Sequence, residues 1–359
     1  MSHACRCLLL TALTAILVAA QASPRYAFTA VGLTSEKSLA QSISNAGHVT
    51  GRVVDQPFVY SHGVLKRLPG NSPGIGQGVN SSGQVVGGLS DGMGGRRAFL
   101  YSDGVMLEFA GDGSEGRAIN EAGHVAGVAS QDGYPRAIVY RDGVIRYLGT
   151  LPAGKISFAT AINIRGQVAG TAQYQWFEWG SGHEHAFLYD HGVMVDLGTL
   201  GGASSRAFGI NELGHVVGAS ELEDGNPDGE HAFLYADGVM LDLGTLAPGS
   251  SSRARGINNL GQVVGSYSLN TGRSFIYHRR FGMRDLNAMV DPASGWFIQG
   301  AYSINDRQQI VGLGCKNGQY GAVLLNPIKA GAWVGSDHVE EDEPARHEPA
   351  QENPPCPYG

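Results

Sequence analysis

The chain has 359 residues, of which 54 are glycine and only 16% are charged, and its formal net charge is −7. Glycine without a Gly-X-Y period excludes collagen, the 42% apolar content excludes a wholly disordered chain, and only 25 Lys and Arg exclude a basic surface for nucleic acid. A turn-rich, all-β protein remains.

Residues 1–22 have the features of a secretory signal peptide. Arg6 precedes an apolar stretch at residues 8–20, and the small residues Ala20 and Ala22 flank Gln21 at the expected cleavage site. The apolar stretch is too short for a helix that crosses a bilayer, and no later segment is long enough. The sequence therefore predicts a protein without a membrane span that is secreted to the periplasm or to the extracellular space.

An Ile/Val-Asn-x-x-Gly phrase recurs through the chain and decides the predicted fold. Its anchor position, usually Asn, falls at residues 44, 80, 120, 163, 211, 258 and 305. A second phrase follows, in which Ala-Phe-Leu-Tyr, a turn and Leu-Gly-Thr-Leu succeed one another, as at residues 186–200. Each repeat of about 43 residues thus predicts two hairpins, or four short strands a to d, which is typical of a β-propeller blade.

The ends of the repeat region indicate how the ring closes. The last repeat supplies only three strands, and residues 26–32, before the first anchor, resemble the missing fourth. The positions two and four residues before each anchor hold only Ala, Gly or Ser, which suits an innermost strand that crowds its neighbours around an axis. We therefore predict a single seven-bladed β-propeller of four-stranded blades over residues 23–330, closed by pairing an N-terminal strand with the last repeat.

These phrases also resemble those of a known family. Ile-Asn-x-x-Gly-x-Val-Val-Gly, the His-Ala-Phe phrases that begin at His185 and His231, and Asp-Leu-Gly-Thr-Leu look like the HAF-repeat extracellular proteins of bacteria. The segment from Asp285 to Pro327 is similar to the closing segment of that family. The resemblance implies an exported, propeller-like protein and no particular activity, since the family has no established one. Gln308, in place of a turn glycine, and the weaker first three repeats are departures.

The C-terminal segment, residues 331–359, differs in composition from the repeats. It is rich in proline and carries seven acidic residues against the single Arg346. Such a segment buries too little apolar surface to fold, so we expect a disordered acidic tail. After removal of the signal peptide, Cys315 and Cys356 remain, and they could pair with each other, stay free or pair between molecules.

One face of the predicted ring carries the long loops. The a–b and c–d turns are tight, whereas the b–c and d–a connections vary in length and lie together on the opposite face. The two longest of these loops carry the aromatic candidates for ligand binding, Tyr174, Trp176, Phe177, Trp179, Trp296 and Phe297. They could stack on a sugar, a peptide or a protein partner, or they could pack onto the ring edge as a satellite cluster.

A further column of residues is a candidate lining of the central channel. Three positions before each anchor stand Gln41, Gln77, Arg117, Thr160, Phe208, Arg255 and Tyr302. We expect Arg117, Arg255 and Tyr302 to contact a ligand there, with packing between blades as the alternative. The column contains no Asp or Glu, so the axis is expected to lack the paired carboxylates of a glycosidase.

Metal binding is indicated at one loop only. Asp224, Asn226 and Asp228 place oxygen ligands at alternate positions, as in a calcium loop, although Pro227 intrudes and a solvated turn is the alternative. No other cofactor is expected. The position that follows the turn glycine of the a–b turn, called the turn slot below, holds either His or Gln. This pattern indicates a repeated hydrogen bond and not a metal site.

The sequence thus favours a monomeric, exported, non-catalytic module that binds a glycan, a peptide or a surface protein on its long-loop face. No catalytic residue is assigned. One alternative is a secreted hydrolase or lyase acting on glycans, with loop residues such as Glu115 or Glu184 in catalysis. The other is a structural protein of the cell surface or matrix.

Overall fold

A computed structural model describes residues 25–32, 36–175, 182–223, 229–268 and 272–328. These residues form seven antiparallel sheets of four strands each, arranged as blades around an axis. The predicted all-β, seven-bladed propeller is confirmed. The predicted signal peptide and acidic tail lie outside the described residues.

Each blade runs from the inner strand a to the outer strand d in chain order. The strands of blades 1 to 4 are β2 (Ser38–Ile43), β3 (Val49–Val53), β4 (Gln56–Ser61), β5 (Val64–Arg67), β6 (Gly74–Val79), β7 (Val85–Ser90), β8 (Arg96–Ser102), β9 (Val105–Asp112), β10 (Glu115–Ile119), β11 (Val125–Gln131), β12 (Tyr134–Arg141), β13 (Val144–Tyr147), β14 (Ser157–Ile162), β15 (Val168–Gln173), β16 (Glu184–Asp190) and β17 (Val193–Asp196). Those of blades 5 to 7 are β18 (Gly201–Ile210), β19 (Val216–Leu222), β20 (Glu230–Ala236), β21 (Val239–Asp242), β22 (Ser251–Ile257), β23 (Val263–Ser268), β24 (Arg273–His278), β25 (Gly282–Asp285), β26 (Phe297–Ile304), β27 (Ile310–Lys316), β28 (Gln319–Pro327) and β1 (Tyr26–Ala30). Two short 3-10 helices, Leu286–Met289 and Pro292–Ser294, connect β25 to β26.

The last blade is assembled from both ends of the described chain. β1 pairs with β28, so that Tyr26 lies opposite Pro327 and Ala30 opposite Val323. The backbone N–H of Val31 then donates to the carbonyl of Ala322 at 3.0 Å. The predicted closure is confirmed, and it joins the first and last blades without an open sheet edge between them.

Small residues on strand a allow the blades to approach one another. A Cβ added to Gly78 would lie 3.0 Å from the Cα of Ala118 in the next blade, and one added to Gly256 would lie 3.1 Å from the Cα of Ser303. A larger side chain would push neighbouring inner strands apart. The column of Ala, Gly and Ser is therefore a consequence of ring closure.

The Phe of the second phrase forms the centre of the blade interface in five blades. Phe58, Phe99, Phe187, Phe233 and Phe275 are fully buried, and in blade 3 Ile138 takes the same place. Phe99 lies opposite Gly87 on strand b, where an added Cβ would lie only 2.7 Å from the ring. The repeated Phe and Gly thus form one interlocking pair.

The His of the His-Ala-Phe phrase has a local partner. His185 Nδ1 lies 2.8 Å from a carboxylate oxygen of Asp196, and His231 Nδ1 lies 3.0 Å from Asp242. Both pairs join strand c to strand d at the outer part of a blade, so these histidines stabilise a hairpin.

Cys315 on β27 is buried and disulfide-bonded. The other three cysteines of the chain lie outside the described residues. Within the residues that the structure describes, no helical segment has the length and apolar character that spanning a bilayer requires.

Candidate functional site

A β-bulge interrupts strand a in every blade at the same position. The register between strands a and b shifts around one residue, which is Gln41, Gln77, Arg117, Thr160, Phe208, Arg255 or Tyr302. A bulge leaves its extra residue out of the regular pairing and redirects its side chain. These seven residues, called the bulge ring below, all line one axial pocket of about 250 Å³.

The pocket extends from the bulge ring toward the a–b turns. Its other end is lined by the residue that follows the anchor in five blades, Asn45, Glu121, Glu212, Asn259 and Asp306, called the mouth ring below. Asn45 and Glu121 are exposed, whereas no described residue before the bulge ring on any strand a contributes to the lining. The bulge ring is therefore the floor, and the pocket opens on the face of the tight turns.

Arg255 is the cation of the floor. Its guanidinium carbon lies 4.6 Å from the centre of the Phe208 ring, and its buried Nε has no hydrogen-bond partner among the described residues. Glu230, which could neutralise it, pairs instead with Arg253. Burial, and to a smaller extent Arg253, lowers the pKa of Arg255, whereas Tyr302 and Glu230 oppose this shift, and a guanidinium remains charged at neutral pH. A positive charge without an ion-pair partner among the described residues therefore lines the pocket.

The second arginine of the floor differs in being neutralised by a partner. Arg117 Nε lies 3.1 Å from Glu115, which also accepts a hydrogen bond from Gln77 and pairs with Arg96.

Tyr302 is a hydrogen-bond donor of the floor. Burial raises its pKa and the charge of Arg255 opposes that rise, so Tyr302 keeps its phenolic proton and can donate it in a hydrogen bond.

The mouth ring contains carboxylates that the sequence interpretation missed. Glu121 accepts from the backbone N–H of Ser81 at 3.0 Å, and Glu212 Oε2 accepts from that of Ile164 at 2.9 Å. Asp306 similarly accepts from Asn259 at 2.8 Å. Each carboxylate therefore holds the turn of the preceding blade.

These carboxylates correct one expectation. The bulge ring has no Asp or Glu, but the statement that the axis offers none is wrong, because Glu121, Glu212 and Asp306 line the same pocket. Burial raises the pKa of Glu212, the hydrogen bond from Ile164 and the charge of Arg165 oppose this rise, and Asp306 and Glu121 add to it by repulsion. The signal in the sequence that could have identified these carboxylates is the position after each anchor, where acidic residues recur.

Within the described part of the chain, no group of three His, Cys, Asp or Glu residues could hold a metal ion.

The anchor asparagines form a belt between the two rings. The Nδ2 atoms of Asn80, Asn120, Asn163, Asn211, Asn258 and Asn305 each donate to the carbonyl of the next anchor, at 2.9–3.2 Å. In four blades Nδ2 also donates to the Gln of the turn slot, namely Gln84, Gln167, Gln262 or Gln309. The repeated hydrogen bond expected for that slot is confirmed for Gln. Blade 1 has Ser44 at the anchor, and there His48 Nδ1 lies 3.4 Å from the Asn80 carbonyl.

The described long-loop candidates, Tyr174, Trp296 and Phe297, do not line the axial pocket. Trp296 stacks on Phe28 with ring centres 4.4 Å apart and packs against the core of the last blade, as the alternative of a satellite cluster anticipates. Tyr174 stacks on His185 at 4.3 Å, and Arg273 lies 5.4 Å from the Phe297 ring. The candidates Trp176, Phe177 and Trp179, and the calcium candidates Asp224, Asn226 and Asp228, lie outside the described residues.

Comparison with known proteins supports the fold. No family model and no curated protein sequence matches the chain. The β-propeller domain of the trilobed protease from Pyrococcus furiosus, which has an open velcro topology, is 8% identical, with 80% of this chain and 93% of that one covered and a TM-score of 0.54. A gluconolactonase from Xanthomonas campestris (12% identical, 72% and 90% covered, TM-score 0.40) and a sialidase from Trypanosoma rangeli (11%, 82% and 54%, 0.40) are also similar. At such identities the likeness concerns the fold, and here β1 closes the last blade.

Proposed function

We propose that this protein is an exported, non-catalytic binding module that holds a small anionic ligand in its axial pocket. The observation that carries the proposal is Arg255, a partly buried guanidinium that lines the pocket and whose Nε has no hydrogen-bond partner among the residues that the structure describes. Export is supported by the composition of residues 1–22 alone.

Burying a cation without a partner is unfavourable, which makes Arg255 informative. Removal from water is repaid only when a counter-charge with good geometry takes the place of the solvent. A guanidinium can bind a carboxylate through two parallel hydrogen bonds, and the neighbouring Tyr302 hydroxyl and Gln41 amide offer further donors. A volume of about 250 Å³ suits a monosaccharide or a short organic acid.

The contacts of the carboxylates favour binding over catalysis. Glu121, Glu212 and Asp306 each cap a neighbouring turn. Glu115 and Glu184, the loop residues considered for catalysis, pair with Arg117 and Arg206. One observation favours a glycan hydrolase as the second candidate: the pKa of Glu212 is raised, as in a general acid.

A ligand screen that compares the wild type with two variants tests the proposal. Anionic monosaccharides and hydroxy acids, with their neutral counterparts, are titrated by calorimetry into the wild type, Arg255→Gln and Arg206→Gln. Arg206 is the matched control because it lies on a strand a and pairs with Glu184 outside the pocket. We expect the wild type to prefer anions, Arg255→Gln to bind them about tenfold or more weakly, and Arg206→Gln to bind normally.

The remaining outcomes distinguish the alternatives. The third variant, Trp176→Ala/Trp179→Ala, removes aromatics of the long-loop face, so loss of glycan or peptide binding in this variant alone would move the site there. Turnover of a glycan that disappears in Glu212→Gln would favour the hydrolase. A protein that binds nothing in the screen would be assigned a structural role. A melting temperature lowered by EDTA would support calcium at Asp224, Asn226 and Asp228.

A further inference from the structure

The two ends of the axial pocket carry opposite charges. The floor holds Arg255, which has no ion-pair partner among the described residues, and the mouth holds Glu121, Glu212 and Asp306. Between them lie small wall residues of strand a, such as Gly209 and Gly256. A ligand lying along the axis would therefore meet a cation at one end and anions at the other.

The mouth carboxylates lie close enough to one another for their charges to interact. Both Asp306 and Glu121 disfavour the ionised form of Glu212, whereas the hydrogen bond from Ile164 and the charge of Arg165 favour it. A positive group placed among the three would relieve that repulsion and gain attraction from each of them. Glu212 bonds the turn of blade 4 through Oε2, which leaves Oε1 as an acceptor for a ligand.

The chemistry of the mouth favours an ammonium group over a metal ion. Among the described residues, these carboxylates do not form a cluster that could coordinate a metal. Their oxygens already accept hydrogen bonds from separate turns, as Asp306 does from Asn259 and Asn45. An ammonium can donate a hydrogen bond to one acceptor, such as Glu212 Oε1, while the other two carboxylates attract it through their charge alone.

The distance along the axis sets the length of the ligand. Each mouth-ring residue follows a member of the bulge ring by four positions, for example Asn259 after Arg255. At a rise of about 3.3 Å per residue the two levels lie at most about 13 Å apart at the backbone, and the turn that begins after Ile257 and the side chains shorten this gap. The two charges of the ligand would be separated by several bonds.

We propose that the pocket selects a zwitterion, with its carboxylate bound by Arg255 at the floor and its ammonium held by Glu121, Glu212 and Asp306 at the mouth. This assignment rests on the proposed function, because it takes Arg255 to be the site of the anion. It adds the ligand class and the direction in which the ligand lies.

Matched probes test both ends of the pocket separately. 4-Aminobutanoate, 6-aminohexanoate and 8-aminooctanoate are titrated against the carboxylates and amines of the same length, at constant ionic strength. We expect at least one zwitterion to bind about tenfold more tightly than its matched carboxylate, because one charge-assisted contact is added. Arg255→Gln should weaken the carboxylate and the zwitterion together.

A double variant of the mouth completes the test. Glu121→Gln/Glu212→Gln keeps an acceptor oxygen for the neighbouring turns, and an unchanged circular dichroism spectrum would confirm that it folds. It should reduce binding of the zwitterion to the level of the matched carboxylate and leave the carboxylate unaffected.

The failures of the two proposals are distinguishable. If every zwitterion binds no more tightly than its carboxylate while Arg255→Gln still weakens both, the ligand class is wrong and the anion site stands. The ligand class is also wrong if an amine alone binds as tightly as its zwitterion. If neither probe set nor the anionic screen binds the wild type, both proposals are overturned.

Discussion

The Asn belt and the bulge ring surround the same axis on the same strands, yet they differ in uniformity. The anchor position is Asn in six of seven blades, and all six make the same bond to the next blade. Three residues earlier, the bulge ring holds five different residue types in an equivalent backbone setting. One ring is repeated, and the other is diversified.

The contacts of the two rings explain this difference. An anchor Asn is held to one residue type because its carbonyl oxygen and its amide nitrogen both have partners fixed by the backbone. The bulge ring has no common partner: Arg117 bonds Glu115, Thr160 bonds a backbone carbonyl of the next blade, and Arg255 stacks on Phe208. In a repeat protein, a uniform backbone position with varied side chains therefore marks the place where the scaffold leaves room for a ligand.

The largest expected effect is on the belt. Asn258→Ala removes the Nδ2 bond to the Asn305 carbonyl at 3.0 Å and the Oδ1 bonds from Leu260 and Gln262 at 3.1 and 2.9 Å. Because these groups are buried, the substitution leaves several of them unsatisfied. We expect the free energy of unfolding, measured by urea denaturation, to fall by about 3 kcal/mol.

The bulge ring supplies the control for this measurement. Arg255→Ala should change the free energy of unfolding by less than about 1 kcal/mol, since Arg255 has a stacking contact and no ion pair to lose. An equal loss of stability in both variants would mean that the bulge ring is a packing feature between blades.

Sequence reasoning reached the belt and the blades because local geometry dictates their residues. Gly83, in the a–b turn of blade 2, has a φ of 77°, and even Gln308, which replaces that glycine in the last blade, has a φ of 64°. The sequence also identified the floor residues as a candidate channel lining, but it did not show the bulge that brings them there, because a bulge is a property of the register between two strands. The mouth was missed, because the bond that Glu212 accepts from Ile164 joins two blades and cannot be read from one repeat.

The next largest effect is expected in blade 1, where Ser44 stands at the anchor position in place of Asn and the belt is interrupted. Ser44→Asn would place an Nδ2 donor near the Asn80 carbonyl, which now accepts from the Gly83 N–H at 3.0 Å and lies 3.4 Å from His48 Nδ1. One additional buried hydrogen bond should stabilise the protein by about 1 kcal/mol and raise the melting temperature by about 2 °C.

Ser44→Ala is the matched control for this gain. It removes the hydroxyl that accepts from the His48 N–H at 3.2 Å and should lower the melting temperature. A fall in both variants would show that the seam between blades 1 and 2 has no room for a seventh Asn.

The smallest effect tests whether the mouth ring belongs with the belt or with the bulge ring. Burial, with the charges of Asp306 and Glu121, raises the pKa of Glu212 above its ordinary value of 4.5, so the folded state binds this proton more tightly than the unfolded state. The stability contributed by protonation is therefore full below the ordinary pKa and is lost as pH rises through the folded pKa. Glu212→Gln should be slightly more stable than the wild type at about pH 7, with the difference vanishing near pH 4, as thermal melts at both pH values would detect.

The control is Glu108→Gln, which removes an ion pair with Arg97 on the outer strands and should lower stability at neutral pH instead. A destabilised Glu212→Gln at neutral pH would mean that the ionised carboxylate is kept for the bond that it makes to the preceding blade, as the anchor Asn is kept for its bond to the next one, and that the charge at the mouth is not held for a ligand.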